Sequence, residues 1–152
     1  TLTIDGIITC TNAENLIIKD GGQLIHNNYG VRATLEKEIK GYGTTNGSWY
    51  TISSPLVGNV ALSDIEGLMT NDYDIYRYDE PTSLWQNAKE SSNNFNYMEN
   101  GRGYLYANRY DATLSFVGEL NRDDVSYYLT KTDDKVLSGF HLLGNPFADD
   151  IF

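Results

Sequence analysis

Short aliphatic runs broken by Gly, Asn and Asp recur from the first residues onward. Leu2-Thr3-Ile4-Asp5-Gly6-Ile7-Ile8 and Leu16-Ile17-Ile18-Lys19-Asp20-Gly21-Gly22-Gln23-Leu24-Ile25 share one form: an aliphatic pair, a turn with glycine, then a second aliphatic pair. The second begins fourteen positions after the first. Strand units at such a spacing predict the stacked rungs of a solenoid; a β-meander satisfies the same two units. From Val31 to Ile39 the odd positions carry Val, Ala, Leu, Lys and Ile, and the even ones Arg, Thr, Glu and Glu. That is the period-two pattern of an antiparallel strand with one wet face. A helix stays open there, because Leu35 and Ile39 are four apart and Glu and Lys favour helix. Gly41 to Ser48 then punctuates the chain. It divides an N-terminal strand layer over residues 1–40, which reads as the end of a β-solenoid, from a main module over 41–152.

In the main module the strand pattern becomes aromatic. Trp49 to Ser54 predicts a strand ended by Pro55, which cannot donate to a ladder. Ser63-Asp64-Ile65-Glu66 has the form of a capping box, predicting a helical turn or two through Met69. Asp72 to Asp79 alternates, with Asp74, Tyr76 and Tyr78 on one face and Tyr73, Ile75 and Arg77 on the other. Glu80-Pro81-Thr82-Ser83 turns it back into Leu84-Trp85 as a hairpin. Lys89 to Asn100 is polar and reads as a long surface loop. Further strands follow at Gly103–Ala107 and Thr113–Leu120, another through Val125, Tyr127 and Leu129, and a last one near Phe140. The expected fold is all-β: an antiparallel β-sandwich with a short N-terminal strand layer and one short helix.

Composition narrows the function classes. The 152 residues carry 11 Lys and Arg against 21 Asp and Glu, a formal net charge of −10. Such a chain repels phosphate backbones and anionic lipid, which argues against nucleic-acid partners and membrane-surface binding. No apolar stretch approaches the length of a membrane-spanning helix. Cys10 is the only cysteine, so no intrachain disulfide forms, and it reads as a small buried hydrophobe. Cys10, His26 and His141 are too few and too scattered for a metal pattern. Asn46-Gly47-Ser48 matches the short N-glycosylation acceptor pattern.

Trp49-Tyr50-Thr51-Ile52-Ser53-Ser54-Pro55 returns as Phe140-His141-Leu142-Leu143-Gly144-Asn145-Pro146, ninety-one positions later. Either this is coincidence or the chain holds one unit of a repeat and the start of the next. With the apolar Ile151-Phe152 at its end and no leader at Thr1, the sequence reads as a piece of a larger protein, its module truncated at the C-terminus. Together with Gly101-Arg102-Gly103-Tyr104-Leu105-Tyr106-Ala107 and Asn15–Leu24, these strings resemble β-rich modules of large secreted or cell-surface proteins of Bacteroidetes, often tied to type IX secretion. The resemblance implies an extracytoplasmic location and a modular parent. It brings no catalytic signature, and the sorting domain is not in this sequence.

Two readings of the aromatic residues stand side by side. Twelve Tyr and two Trp fill a sandwich core with hydroxyls at its rim, or some of them form a platform that stacks on sugar rings. Asp74, Tyr76, Tyr78 and Trp85 are the candidate ligand-binding residues, and glycans or host and cell-surface proteins the candidate partners, besides other domains of the parent chain. Carboxylates at Asp64, Glu66, Asp72, Asp74, Asp79 and Glu80 are numerous enough that some pair lies at glycosidase spacing by chance. His141, in an apolar run, reads as a structural imidazole and not a catalytic base. No cofactor is expected; Asp123-Asp124 and Asp133-Asp134 offer loop oxygens to Ca²⁺ but lack EF-hand spacing. The expected role is a non-catalytic module for adhesion, glycan contact or domain spacing. The alternative is an accessory domain of a secreted hydrolase, a glycosidase or a peptidase.

Overall fold

The β-branched and aromatic alternation resolves into strands. A computed structural model describes residues 1–43 and 47–149 of the chain. In chain order the strands are β1 (Leu2–Ile4), β2 (Ile17–Ile18), β3 (Leu24–His26), β4 (Arg32–Ile39), β5 (Tyr50–Ile52) and β6 (Val60–Ala61). They continue with β7 (Tyr73–Asp79), β8 (Leu84–Asn87), β9 (Tyr97–Met98), β10 (Tyr104–Asn108) and β11 (Ala112–Glu119). The fold is all-β. Asn46, the candidate glycosylation acceptor, lies outside the described residues.

Two sheets carry the core. One runs β5-β10-β7-β8, antiparallel throughout; the other runs β11-β4-β2, with β4 antiparallel to β11 along eight residue pairs. Ala33 and Ile39 of β4 and Leu114 and Phe116 of β11 point inward, as the alternation over 31–39 requires. Ile52, Ile75, Tyr104 and Tyr106 of the four-stranded sheet join them in one buried cluster. Two sheets closed over a shared apolar interior are the layers of a sandwich. The inward tyrosines are satisfied: Tyr106 donates its hydroxyl to the Leu68 carbonyl at 2.9 Å.

The N-terminal strands stack in parallel. β1 lies along β3 and β2 along β4, so each strand pairs with the second one after it, as coils of a solenoid do. Leu2 meets Leu24 and Ile17 meets Thr34, so the fourteen-residue spacing is not the stacking register. β4 belongs to both arrangements, closing the parallel stack and forming the middle strand of the β11-β4-β2 sheet.

Three expected elements differ. Among the described residues no α-helix follows Ser63; a single 3-10 turn spans Leu62–Asp64 instead. The Ser63 hydroxyl donates to Asp64 Oδ1 rather than capping an amide, while Ile65 and Leu68 are drawn into the core. Gly67 sits at φ +80°, and a Cβ there would strike the Thr113 carbonyl, so the segment cannot wind on as a helix. Within the Lys89–Asn100 loop, a 3-10 turn at Ser91–Asn93 and the short β9 hold Phe95 and Met98 in the core.

The third difference is the largest. Residues 121–149 form an extended strap without ladder strands, so neither Val125–Leu129 nor the run from Phe140 is a strand. Side chains tie the strap down in place of a ladder. Asn121 Nδ2 donates to the carbonyls of Leu56 and Pro146, both at 2.8 Å. The Ser53 hydroxyl donates to the Asn145 carbonyl at 2.6 Å. The Phe140–Pro146 run lies beside the segment it echoes: Leu143 bridges Arg102, two residues before Tyr104, the partner of Ile52.

Candidate functional site

The outer face of the four-stranded sheet gathers the candidate residues. Alternation along β7 turns Asp74, Tyr76 and Tyr78 to one side, away from the core residue Ile75. The registers then place Leu105 and Asn87 beside Tyr76, Trp85 beside Tyr78, and Ala107 beside Asp74. Trp49, directly before β5, reaches the same face, its ring 5.8 Å from that of Tyr76 at a 57° tilt. Trp49 is 54% exposed and Trp85 39%. With Tyr76 and Leu105 they line an open, shallow recess.

The four predicted residues do not share one role. Tyr76 and Trp85 are on display. Tyr78 is only 4% exposed, held edge-on between Trp85 at 5.2 Å and Phe140 of the strap at 5.1 Å. Its hydroxyl is buried with no hydrogen-bond partner among the described residues. Tyr78 therefore buttresses Trp85 and shows almost none of its own ring to solvent.

Asp74 forms the polar end of the face. Its Oδ1 accepts from Asn87 Nδ2 at 2.9 Å and faces Lys89 Nζ at 3.4 Å. Lys89 also lies over the Tyr73 ring, 4.8 Å from its centroid. Asp74 Oδ2 takes no hydrogen bond from the described residues and stays available as an acceptor. The face thus combines flat apolar rings with a carboxylate and an amide at one margin, a pattern suited to a ring-shaped, hydroxyl-bearing ligand.

Elsewhere the polar groups are spent on structure. Glu80, 1% exposed, accepts from the Thr132 amide at 2.7 Å, the Gly139 amide at 2.9 Å and the hydroxyls of Thr130 and Thr132. These donors hold its carboxyl down at about 2, the two amides contributing most. His141 Nε2 meets the Thr130 backbone, 2.8 Å from its carbonyl oxygen. Burial lowers the pKa of His26, whose Nδ1 accepts from the Asn28 amide. Cys10 is partly buried against the core, its thiol donating to the Asn12 carbonyl.

The acidic turns are engaged in part. Asp123 Oδ1 is taken by Arg122 and by the Tyr29 hydroxyl, and Asp133 by Lys131. Among the described residues no group of three or more His, Cys, Asp or Glu side chains is placed to hold a metal ion. A second recess, of about 260 Å³, opens where the Gly21-Gly22 turn approaches Asn145. Its rim carries the pairs Lys19–Glu36 and Lys37–Asp20, which neutralise each other at 2.6 and 2.7 Å.

Trp49 is the platform residue that the sequence pattern hid. It opens an apolar run ending in Pro55 and reads there as one more strand aromatic. Its parity was the available signal. Trp49 and Thr51 alternate with the core residue Ile52, and therefore face outward. Comparison with known proteins finds no matching family model, no matching curated protein and no matching solved structure.

Proposed function

We propose that the chain is a non-catalytic module of a secreted or cell-surface bacterial protein, contacting glycans through the outer face of its four-stranded sheet. One observation carries this reading: both tryptophans of the chain are solvent-exposed on the same sheet face. Exposing two large rings together costs hydrophobic burial that a spacer has no need to forgo. The extracytoplasmic location rests on the resemblance of the Trp49–Pro55 and Phe140–Phe147 strings to secreted Bacteroidetes modules. Glu80, the most buried carboxylate among the described residues, is occupied by donors and ionised far below neutral pH, which favours binding over acid–base chemistry.

A glycan array followed by affinity electrophoresis tests the reading. The expected result is retention on at least one polysaccharide without turnover, lost in both Trp49→Ala and Trp85→Ala while the circular dichroism spectrum is unchanged. Hydrolysis abolished by a single carboxylate substitution would overturn it, as would binding indifferent to both tryptophans.

A further inference from the structure

We infer that the ligand of this face is an uncharged glycan and that carboxylated and sulfated polysaccharides are refused; this rests on the platform reading above. The cations around the recess already have partners. A polyanion needs a free Lys or Arg near the stacking rings. Lys89, beside the platform, lies 3.4 Å from Asp74 and over the Tyr73 ring. Arg77, although on the neighbouring strand position, points to the core side. There its Nε donates to Gln86 at 2.8 Å, its Nη2 donates to the Asn93 carbonyl at 2.7 Å, and its guanidinium covers the Phe95 ring. Arg102 donates to Glu99 at 2.7 Å and to the Tyr78 carbonyl.

The charge that remains beside the face is carboxylate, with Arg109 set against Asp72 at the start of β7. Asp74 lies on the platform side of β7 and Asp72, 3.9 Å from Arg109, directly before the strand, and the chain as a whole carries −10. The field over the recess therefore opposes an approaching polyanion and is indifferent to a neutral chain. Asp74 Oδ2 and the Asn87 amide supply what a neutral sugar asks for, an acceptor and an amide dipole beside the rings that take its apolar face. Asp74 has a double role here. It accepts from a sugar hydroxyl, and it keeps Lys89 from serving an anion.

The test is affinity electrophoresis in gels containing neutral polymers (a β-glucan, a xylan, a mannan) or anionic ones (polygalacturonate, alginate, heparin), at low and high salt. The native chain should be retarded by a neutral polymer, with retardation falling about tenfold in Trp85→Ala, and should run unretarded through the anionic gels. Asp74→Asn, which keeps the shape and releases Lys89, should gain salt-sensitive retardation by an anionic polymer. Retardation of the native chain by an anionic polymer, dependent on Trp49 and Trp85, would overturn the charge inference and leave the platform standing. So would an Asp74→Asn chain that gains nothing on any anionic gel. Absence of retardation in every gel would overturn the platform reading itself.

Discussion

Thr132 closes on the Glu80 carboxylate from 52 positions away, donating its amide at 2.7 Å and its hydroxyl at 3.0 Å. Glu80 ends the β7 strand side of the hairpin, and Thr132 belongs to the strap that has no ladder of its own. A single buried anion thus anchors the middle of the strap, whose backbone meets the sheet further on, at Leu142 and Gly144. Charge-assisted bonds from amides and hydroxyls are the strong kind, and they also fix the protonation state. The folded pKa lies at about 2 against an ordinary 4.5.

The sign of the pH effect follows. A carboxyl depressed on folding stabilises the native state fully above about pH 4.5, and that contribution disappears as pH falls toward 2. Urea midpoints measured from pH 6 down to pH 2 should fall over that window in the native chain. In Glu80→Gln the midpoint should start lower and the slope over the same window should flatten. Limited proteolysis should then cut between Thr130 and Gly139 first. An unchanged acid slope in Glu80→Gln would show that other carboxylates govern it.

Asn121 is the second clasp. Its amide donates to Leu56, to Pro146 and to Asn100 Oδ1, and the side chain is buried. Asn121→Ala leaves two carbonyls without donors, at a cost of about 2 kcal/mol. For a chain of this size that lowers Tm by about 6 °C. Asn121→Asp should be worse still, since it presents an anion to the same carbonyls. Calorimetry on the two variants checks both the size and the order.

Tyr78→Phe runs the other way. Among the described residues the buried Tyr78 hydroxyl has no partner, while the ring packs between Trp85 and Phe140. Removing an unsatisfied buried oxygen without disturbing the ring should leave stability unchanged or raise it by about 1 kcal/mol. Glycan retention should persist, because Trp85 keeps its support. A loss of stability would show that the hydroxyl is hydrogen-bonded in solution.

Parity was the part of this fold written most plainly in the chain. Val31–Ile39 and Thr113–Leu120 alternate over eight residues or more, and their buried positions fall where alternation places them; in Tyr73–Asp79 Ile75 does so, while Tyr78, on the opposite parity, is covered by Phe140 of the strap. The strap alternates without being a strand, for a physical reason. Val125, Tyr127 and Leu129 also alternate, and Val125 and Tyr127 are indeed the more covered. Alternation reports which side of an extended chain is covered, not whether a neighbouring strand supplies hydrogen bonds. Ser63–Glu66 failed differently: a cap signal is local, and the demand of Ile65 and Leu68 for the core outweighed it. In the candidate site, one face of β7 was legible, but only the register across β5, β10 and β7 brings Trp49 to Tyr76.

Because Trp49 and Trp85 are the only tryptophans and share a face, tryptophan emission excited beyond the tyrosine absorption band reports that face alone. Acrylamide, a neutral quencher, should reach both rings in the native chain nearly as well as in urea. Iodide should quench less efficiently than acrylamide at low salt, because the surrounding field is negative, and the gap should narrow as salt shortens the screening length. The single variants Trp49→Ala and Trp85→Ala should each keep one accessible emitter, with Trp85 the less quenched since it rests against Tyr78. A neutral glycan that binds should shift the emission to the blue and protect both rings together. Protection of one ring only would place the ligand off the shared recess, and a native emission already shielded from acrylamide would contradict the exposed face on which the binding reading depends.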